Sequence, residues 1–398
     1  MADLVKITLT LIFITVLLRK KVQVGYVLLL GAALMVLLYL IPPVKVLESI
    51  KEALTNKDTY KLAIALTTIK GFEMVLREKE IMKRMMSASR GLLKKRRAVI
   101  VSMPLLIGML PSVGGAYFSA PMVDESTKGL RLSPEEKGFI NYWFRHPWEY
   151  ILPLYPGIVL AAALSGQHLR GFITANLPYA FTVALTGFIF SMRGIDGAKE
   201  DIKGEKITKE GFLSFLPILF VISLVVIFGI ELHWGLLIAL IGLFIVFRYG
   251  PKDIGRVLKH ALAPDVLVLI AGVMIFKEIM EGSGAVANLS RFLTDIGIPL
   301  MLLLFFVPFT GGLLTGLTIG FVGSTFPLIM SLPGGATLPA LSFAFAAGFI
   351  GVLMSPVHIC FILTREYFKA DLWGMYKRMI PAAVLIFAVA TAEYLVFR

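Results

Sequence analysis

Three ionisable residues stand close together in an otherwise apolar stretch of this sequence. Arg145, His146 and Glu149 flank Pro147 in the segment WFRHPWEY, residues 143–150. An ionisable group at the centre of a membrane helix costs about 2.5–3.5 kcal/mol on insertion scales, and such groups usually mark paths for solutes or protons. Proline also interrupts the hydrogen bonding of a helix. We therefore expect Arg145 to bind an anionic solute, and His146 or Glu149 to take part in ion coupling.

The same segment has a structural interpretation as well. Aromatic residues are typical of membrane interfaces, where Arg145 and Glu149 could form a pair that stabilises the fold without binding a solute. Four aromatic residues belong to the segment or adjoin it: Tyr142, Trp143, Trp148 and Tyr150. His146 and Glu149 also have an i,i+3 spacing compatible with metal binding, but Pro147 interrupts the helix and the sequence has no HisGluXXHis motif. We expect no metal site.

A second proline-containing segment, MSPVHICF at residues 354–361, has a similar character. Pro356 frees backbone carbonyl groups, and Ser355 offers a hydroxyl group to an ion or an oxyanion. His358 has a side chain that titrates near neutral pH. A histidine in an apolar helix is often a packed core residue, so both interpretations of His358 stay open.

Two apolar stretches, residues 98–124 and 297–330, are punctuated by proline and glycine. Each half of the first is about 12 residues, or about 18 Å of helix, which is too short to cross a bilayer core of about 30 Å. We predict two re-entrant hairpins with tips at PSVGG (111–115) and PFTGG (308–312), whose free carbonyl groups could bind Na⁺. The hairpin residues predicted to bind solute or ion are Ser112, Gly114, Gly115, Ser119, Thr310, Gly311, Gly312 and Thr315.

The composition indicates an all-α polytopic membrane protein. Of the 398 residues 57% are apolar, and the mean hydropathy is +0.83. The net charge of +13 is explained by basic loops rather than by binding to nucleic acid. The single cysteine, Cys360, excludes an internal disulfide. The sequence predicts ten spans, near residues 3–18, 22–41, 59–76, 139–164, 171–192, 212–230, 233–249, 264–281, 338–363 and 379–397.

The distribution of basic residues predicts the orientation. With both termini outside the cell, the loops on the cytoplasmic side hold 28 Lys and Arg residues and those on the outer side hold 5. This asymmetry is typical of a multi-pass protein in a plasma membrane. The polar segment 193–211 is then a cytoplasmic linker between the two halves of the chain.

The two halves resemble each other. PSVGG recurs as PFTGG, HPWE (146–149) is echoed by SPVH (355–358), and Gly171 and Pro178 match Gly374 and Pro381. Each half, 1–192 and 212–398, would hold five spans, one hairpin and one broken helix, at 139–164 and 338–363. Five is odd, so the second repeat must be inverted, an arrangement typical of secondary transporters.

The segments LIGMLPSVGGAYFSAPMVDE (106–125) and NYWFRHPWEYILPLYPGI (141–158) resemble the ion transporter superfamily of secondary carriers. Within it, the chain is most similar to an uncharacterised integral-membrane family, domain of unknown function 401. The resemblance implies a carrier with two hairpins and two unwound helices around one central site. It also implies transport coupled to Na⁺ or H⁺, and a possible homodimer.

We expect a secondary active transporter that moves a small, organic acid-like anion by alternating access and needs no cofactor other than a coupling ion. Its partners would be the solute and the lipid bilayer. A sodium/proton antiporter, with Glu149, His146 and His358 as titrating groups, is an alternative. A membrane-embedded enzyme acting on lipid and a passive channel are further alternatives. The sequence has no GlyXXXXGlyLys(Ser/Thr) motif, so we do not expect ATP-driven transport.

Overall fold

The computed structural model describes residues 2–93, 95–111, 115–191, 209–285, 288 and 297–398, and the regular structure in these ranges is helical. The first half contains α1 Ala2–Arg19, α2 Val24–Tyr39, α3 Pro43–Thr55, α4 Lys57–Glu78, α5 Ile81–Leu92, α6 Arg96–Ile107, α7 Gly115–Ser126, α8 Pro134–Trp143, a 3-10 helix Pro147–Tyr150, α9 Pro156–Ser165 and α10 Leu169–Ser191. The second half contains α11 Lys209–Leu213, α12 Leu216–Ile222, a π-helix Ser223–Ile227, α13 Leu232–Val246, α14 Pro251–Ala261, α15 Pro264–Gly282, α16 Leu300–Thr315, α17 Thr318–Met330, α18 Leu338–Leu353, α19 Ile359–Phe368 and α20 Leu372–Phe397. The predicted all-α membrane class is confirmed.

Three helical segments in the described ranges are long and apolar enough to cross a membrane by length and composition: Leu169–Ser191, Lys209–Ile227 and Leu372–Phe397. The predicted spans at 22–41 and 233–249 are shorter apolar helices. Those at 3–18, 59–76 and 264–281 correspond to α1, α4 and α15, which are not among these three segments. Val24–Tyr39, with 16 residues, is about 24 Å long at about 1.5 Å per residue. The two spans predicted at 139–164 and 338–363 are each two half-helices separated by a break. The linker predicted at 193–211 lies largely outside the described residues.

The order of helices in the second half repeats that in the first. From the hairpins onward, each α-helix start in the first half has a counterpart at a nearly constant separation along the chain, whereas the 3-10 helix has none. The matching starts are Arg96 and Leu300, Gly115 and Thr318, Pro134 and Leu338, Pro156 and Ile359, and Leu169 and Leu372. The matches of Gly171 with Gly374 and of Pro178 with Pro381 fit this alignment. The matches of PSVGG with PFTGG and of HPWE with SPVH do not fit it, because their separations along the chain differ from that of the helix starts. The inverted orientation of the repeats stays a prediction.

The predicted tip of the second hairpin is wrong. Helix α16 continues through Thr310, Gly311 and Gly312, and the turn falls at Gly316, whose φ of +63° favours glycine. Because the start of α7 aligns with the start of α17, the counterpart of Ser112 is Thr315. Proline at 308 did not end the helix, because a proline inside a membrane helix is tolerated when neighbouring helices satisfy the freed backbone groups.

Gly312 has a packing function instead. Helix α18 is buried from Ala340 to Leu353 and packs closely against α16. A Cβ atom on Gly312 would come well under 3.0 Å from the carbonyl oxygen of Gly348, closer than real Cβ contacts. Small residues permit this close approach of two helix backbones.

Gly312→Ala is expected to destabilise the protein by about 1–3 kcal/mol, because the added methyl group must push α16 and α18 apart. Gly242→Ala is the matched control, since Gly242 also lies inside a helix but has nothing within 4 Å of its Cβ position. Thermal unfolding of the purified variants should show a lower Tm for Gly312→Ala only. Equal Tm values would contradict the close packing of α16 against α18.

Candidate functional site

The first helix break positions Arg145, His146 and Glu149. Helix α8 starts with a capping box, in which Ser133 and Glu136 exchange side-chain and backbone hydrogen bonds, and it ends at Trp143. Arg145 and His146 follow in the break and are only 4% and 1% exposed. The 3-10 helix that follows starts at Pro147, as expected for a residue that cannot continue the helical hydrogen bonding.

Three of the four aromatic residues of this segment are buried inside the protein. Tyr142, Trp143 and Tyr150 have no exposed surface. The Trp143 indole donates hydrogen bonds to the Val183 carbonyl oxygen at 3.0 Å and to the Thr186 hydroxyl at 3.1 Å. These three residues pack the break into the protein interior, whereas Trp148 is partly exposed and its indole donates to the Leu105 carbonyl oxygen at 2.7 Å. The interfacial interpretation of the segment stays open.

The second helix break lies against the turn of the second hairpin. The Ser355 hydroxyl donates to the Leu313 carbonyl oxygen at 2.7 Å, and His358 Nδ1 lies 2.7 Å from the Gly316 carbonyl oxygen. Backbone atoms of His358 would be within 3.0 Å of a Cβ on Gly316. The break and the hairpin turn are thus held together by both packing and hydrogen bonds.

The two breaks meet in the protein interior. His146 Nε2 lies 3.2 Å from His358 Nε2, although the two residues are 212 positions apart. The Tyr142 hydroxyl donates to the carbonyl oxygen of Leu353, the last residue of α18, at 3.0 Å. Glu149 Oε1 is 3.8 Å from His146 Nε2. The structure therefore brings together three of the predicted ionisable residues, His146, Glu149 and His358.

The hairpins contact both breaks. The Thr318 hydroxyl, at the start of α17, donates to Glu149 Oε2 at 2.9 Å. The Tyr155 hydroxyl, just before α9, donates to the carbonyl oxygen of Gly108 beside the first hairpin turn. Gly108 in turn packs directly against the Arg145 backbone, where a Cβ would not fit. Side chains from the breaks thus bond to the backbone or side chains of both hairpins.

Three half-helices begin in this region. Gly157, in the first turn of α9, packs against Thr318, the first residue of α17, and the turn before α17 packs against His358, which precedes α19. The starts of α9, α17 and α19 have no side-chain hydrogen-bond cap. The amino end of a helix carries a partial positive charge of about half an elementary charge. With the guanidinium of Arg145, these ends make the region favourable for an anion.

The remaining residues predicted to bind solute or ion belong to the two hairpins. Ser112 and Gly114 lie outside the described residues. Gly115 is the first residue of α7, and the Ser119 hydroxyl bonds back to the Ala116 carbonyl oxygen at 3.3 Å within that helix. The Thr315 hydroxyl accepts a hydrogen bond from the Leu317 amide at 3.3 Å and so stabilises the turn.

Three residues of the region were missed by sequence reasoning. Asn141, fully buried, donates to the Ala116 carbonyl oxygen at 3.1 Å and to the Thr364 hydroxyl at 3.0 Å, which joins α7, α8 and α19. Tyr155 directly precedes α9 as His358 directly precedes α19, so a correct repeat alignment could have found it. Cys360 contacts both histidines, and no sequence pattern indicated this contact.

Comparison with known proteins gives the family and the fold. Residues 3–397 match the family described as protein of unknown function (DUF401). A search of curated proteins gave no match. The crystal structure of the Alcanivorax borkumensis YdaH transporter, described as having an unusual topology, is similar with a TM-score of 0.61 at 12% identity, covering 96% of this chain and 98% of that chain. The chain belongs to the DUF401 family, and its fold is similar to that of a membrane transporter.

Proposed function

We propose that the protein is a secondary transporter that moves a small, organic acid-like anion across the plasma membrane, driven by a gradient of Na⁺ or H⁺. One observation carries this proposal: the buried Arg145 interacts with Tyr155, directly before α9, and with Cys360, at the start of α19, where α17 also begins. Discontinuous helices whose amino ends point at an anionic group are the usual construction of solute sites in such carriers. The similarity in fold to a transporter supports it.

The geometry also supports alternating access. Among the described residues, the second hairpin contacts the breaks through specific pairs, such as Thr318 with Glu149 and Gly316 with His358. The protein would have two conformations, one open to each side of the membrane. A solute that binds between these elements shifts the equilibrium between the two conformations only if it binds one of them more tightly. In this proposal a hairpin moves relative to the facing break when the solute binds, and the site opens to one side at a time. No catalytic residue is required.

The first test is the thermal stability of the purified protein with a panel of mono-, di- and tricarboxylates and inorganic oxyanions, each with and without Na⁺. A ligand that binds only the folded protein stabilises it by about 2.7 kcal/mol at 100 times its Kd. We expect one class of anion to raise the Tm, and to raise it further with Na⁺ or at lower pH.

The second test uses the anion so identified in proteoliposomes with imposed gradients. We expect the labelled anion to accumulate above its external concentration only while a Na⁺ or proton gradient is present. Flux that equilibrates regardless of any gradient would indicate a channel. Sodium/proton exchange without an organic solute would indicate the antiporter. Either result would overturn the proposal. The homodimer and the outside location of both termini stay predictions.

A further inference from the structure

Two histidines and the single cysteine form a buried cluster at the junction of the two breaks. The ligand atoms of His146, His358 and Cys360 all lie within 4.8 Å of one another. The three residues are 1%, 8% and 9% exposed. They come from different helical segments, since His146 precedes the 3-10 helix, while His358 and Cys360 stand at the start of α19.

The hydrogen bonds of the two imidazole rings define where their protons lie. His146 Nδ1 is 2.6 Å from the Tyr142 carbonyl oxygen, and His358 Nδ1 is 2.7 Å from the Gly316 carbonyl oxygen. A carbonyl oxygen can only accept a hydrogen bond, so each Nδ1 must carry a proton. In the neutral ring each Nε2 then presents a lone pair, and the two Nε2 atoms face each other at 3.2 Å. Two lone pairs at this distance repel each other unless a proton or a metal ion lies between them.

The distances suit a transition metal ion. Tetrahedral Zn²⁺, with Zn–N distances of about 2.0–2.1 Å, holds two nitrogen ligands about 3.3 Å apart. A backbone carbonyl bonded to the other ring nitrogen is also the arrangement that commonly orients histidine ligands of metals. Cys360 supplies a third ligand when its thiol releases a proton to solvent and binds as the thiolate.

The neighbouring charges complete the site. Glu149, with Oε1 at 3.8 Å from His146 Nε2, is a carboxylate available as a fourth ligand, and its other oxygen is fixed by Thr318. Arg145 interacts electrostatically with Cys360. A divalent ion with one thiolate and one carboxylate is electrically neutral, so it adds no net charge beside Arg145. Imidazole and thiolate ligands select zinc-like ions over Na⁺ and Mg²⁺.

We propose that His146, His358 and Cys360 bind a borderline-soft divalent metal ion of the Zn²⁺ type where the two helix breaks meet. The site lies beside the proposed anion site, but its occupation can be measured without any solute or transport. A failure of the transport proposal therefore leaves the metal proposal standing, and the reverse holds as well.

The test uses full-length protein in detergent, free of any affinity tag and stripped with a chelator. Titration with Zn²⁺ against a chromophoric chelator gives the affinity and the stoichiometry, and Co²⁺ reports a thiolate ligand through its charge-transfer absorption. We expect one ion per chain. Cys360→Ser, a conservative change, should abolish the charge-transfer band and weaken Zn²⁺ binding by at least about 10-fold, and His358→Ala should weaken it similarly.

His233→Ala is the matched control, because His233 is also buried but lies near Glu231, away from the cluster. It should bind Zn²⁺ like the wild type. The Tm of each metal-free variant shows whether it has folded. Wild-type protein that binds no Zn²⁺, as expected if the two histidines share a proton instead, overturns the proposal. Equal affinity and an unchanged Co²⁺ spectrum in folded Cys360→Ser overturn it too.

Discussion

Replacing Arg145 with alanine is expected to weaken anion binding by about 10- to 100-fold, because a hydrogen bond to a charged group contributes about 1.5–3 kcal/mol. Arg145 is 4% exposed, so its charge is little screened by solvent. Its backbone is held by packing against Gly108, which fixes where the side chain starts. Arg145→Lys keeps the charge but loses the planar donor geometry, so we expect an intermediate affinity.

The measurement is the Kd of the anion that raises the Tm, determined for each variant, together with the Tm without ligand. Arg365→Ala is the control, since Arg365 is an exposed arginine near the end of α19. It should bind the anion like the wild type. If folded Arg145→Ala keeps wild-type affinity, Arg145 does not bind the solute and the anion site must be sought elsewhere.

Gly316→Ala is expected to lower transport by about 10-fold or more, which corresponds to about 1.4 kcal/mol of lost interaction energy. Two effects combine at this position. A non-glycine residue in the left-handed conformation costs about 1–2 kcal/mol, and the added methyl group would meet backbone atoms of His358 within 3.0 Å. The hairpin turn and the second break must then separate, which disturbs the pairing of His358 with His146.

Gly166→Ala separates these two effects. Gly166 also has a positive φ, +64°, but nothing lies within 4 Å of its Cβ position. Both variants should lose a similar amount of stability from backbone strain, while only Gly316→Ala should lose transport in proteoliposomes. Equal transport in the two variants would show that the contact between the turn and His358 has no functional role.

Local sequence features predicted the helix breaks well. Pro147 and Pro356 lie within the observed breaks, because a proline lacks the amide proton that a helix needs. The same reasoning failed at Pro308, which lies inside α16. Proline and glycine in a membrane segment therefore mark either a turn or a close contact between two helices. At residues 308–312 the contact with the neighbouring helix α18 is what occurs. This information is not contained in the segment itself.

Short motifs predicted a repeat, but the match of PSVGG with PFTGG differs from the alignment that the helix starts suggest. PSVGG and PFTGG are similar in composition, but Gly312 of the second packs against α18, whereas most of the first lies outside the described residues. The helix starts, such as Gly115 with Thr318, instead align the two halves at a nearly constant separation along the chain. Similar residue types can thus meet different physical requirements, whereas helix lengths and connections reflect the shared architecture.

The sequence by itself determined the membrane class, the broken helices and the residues Arg145, His146, Glu149 and His358 as unusual for apolar surroundings. These features follow from hydropathy and from the backbone chemistry of proline, which act over a few residues. Only the tertiary structure decided that His146 meets His358 across 212 positions and that Cys360 joins them. The physical reason is that such a contact depends on how the two halves pack, and the packing is a property of all the helices together.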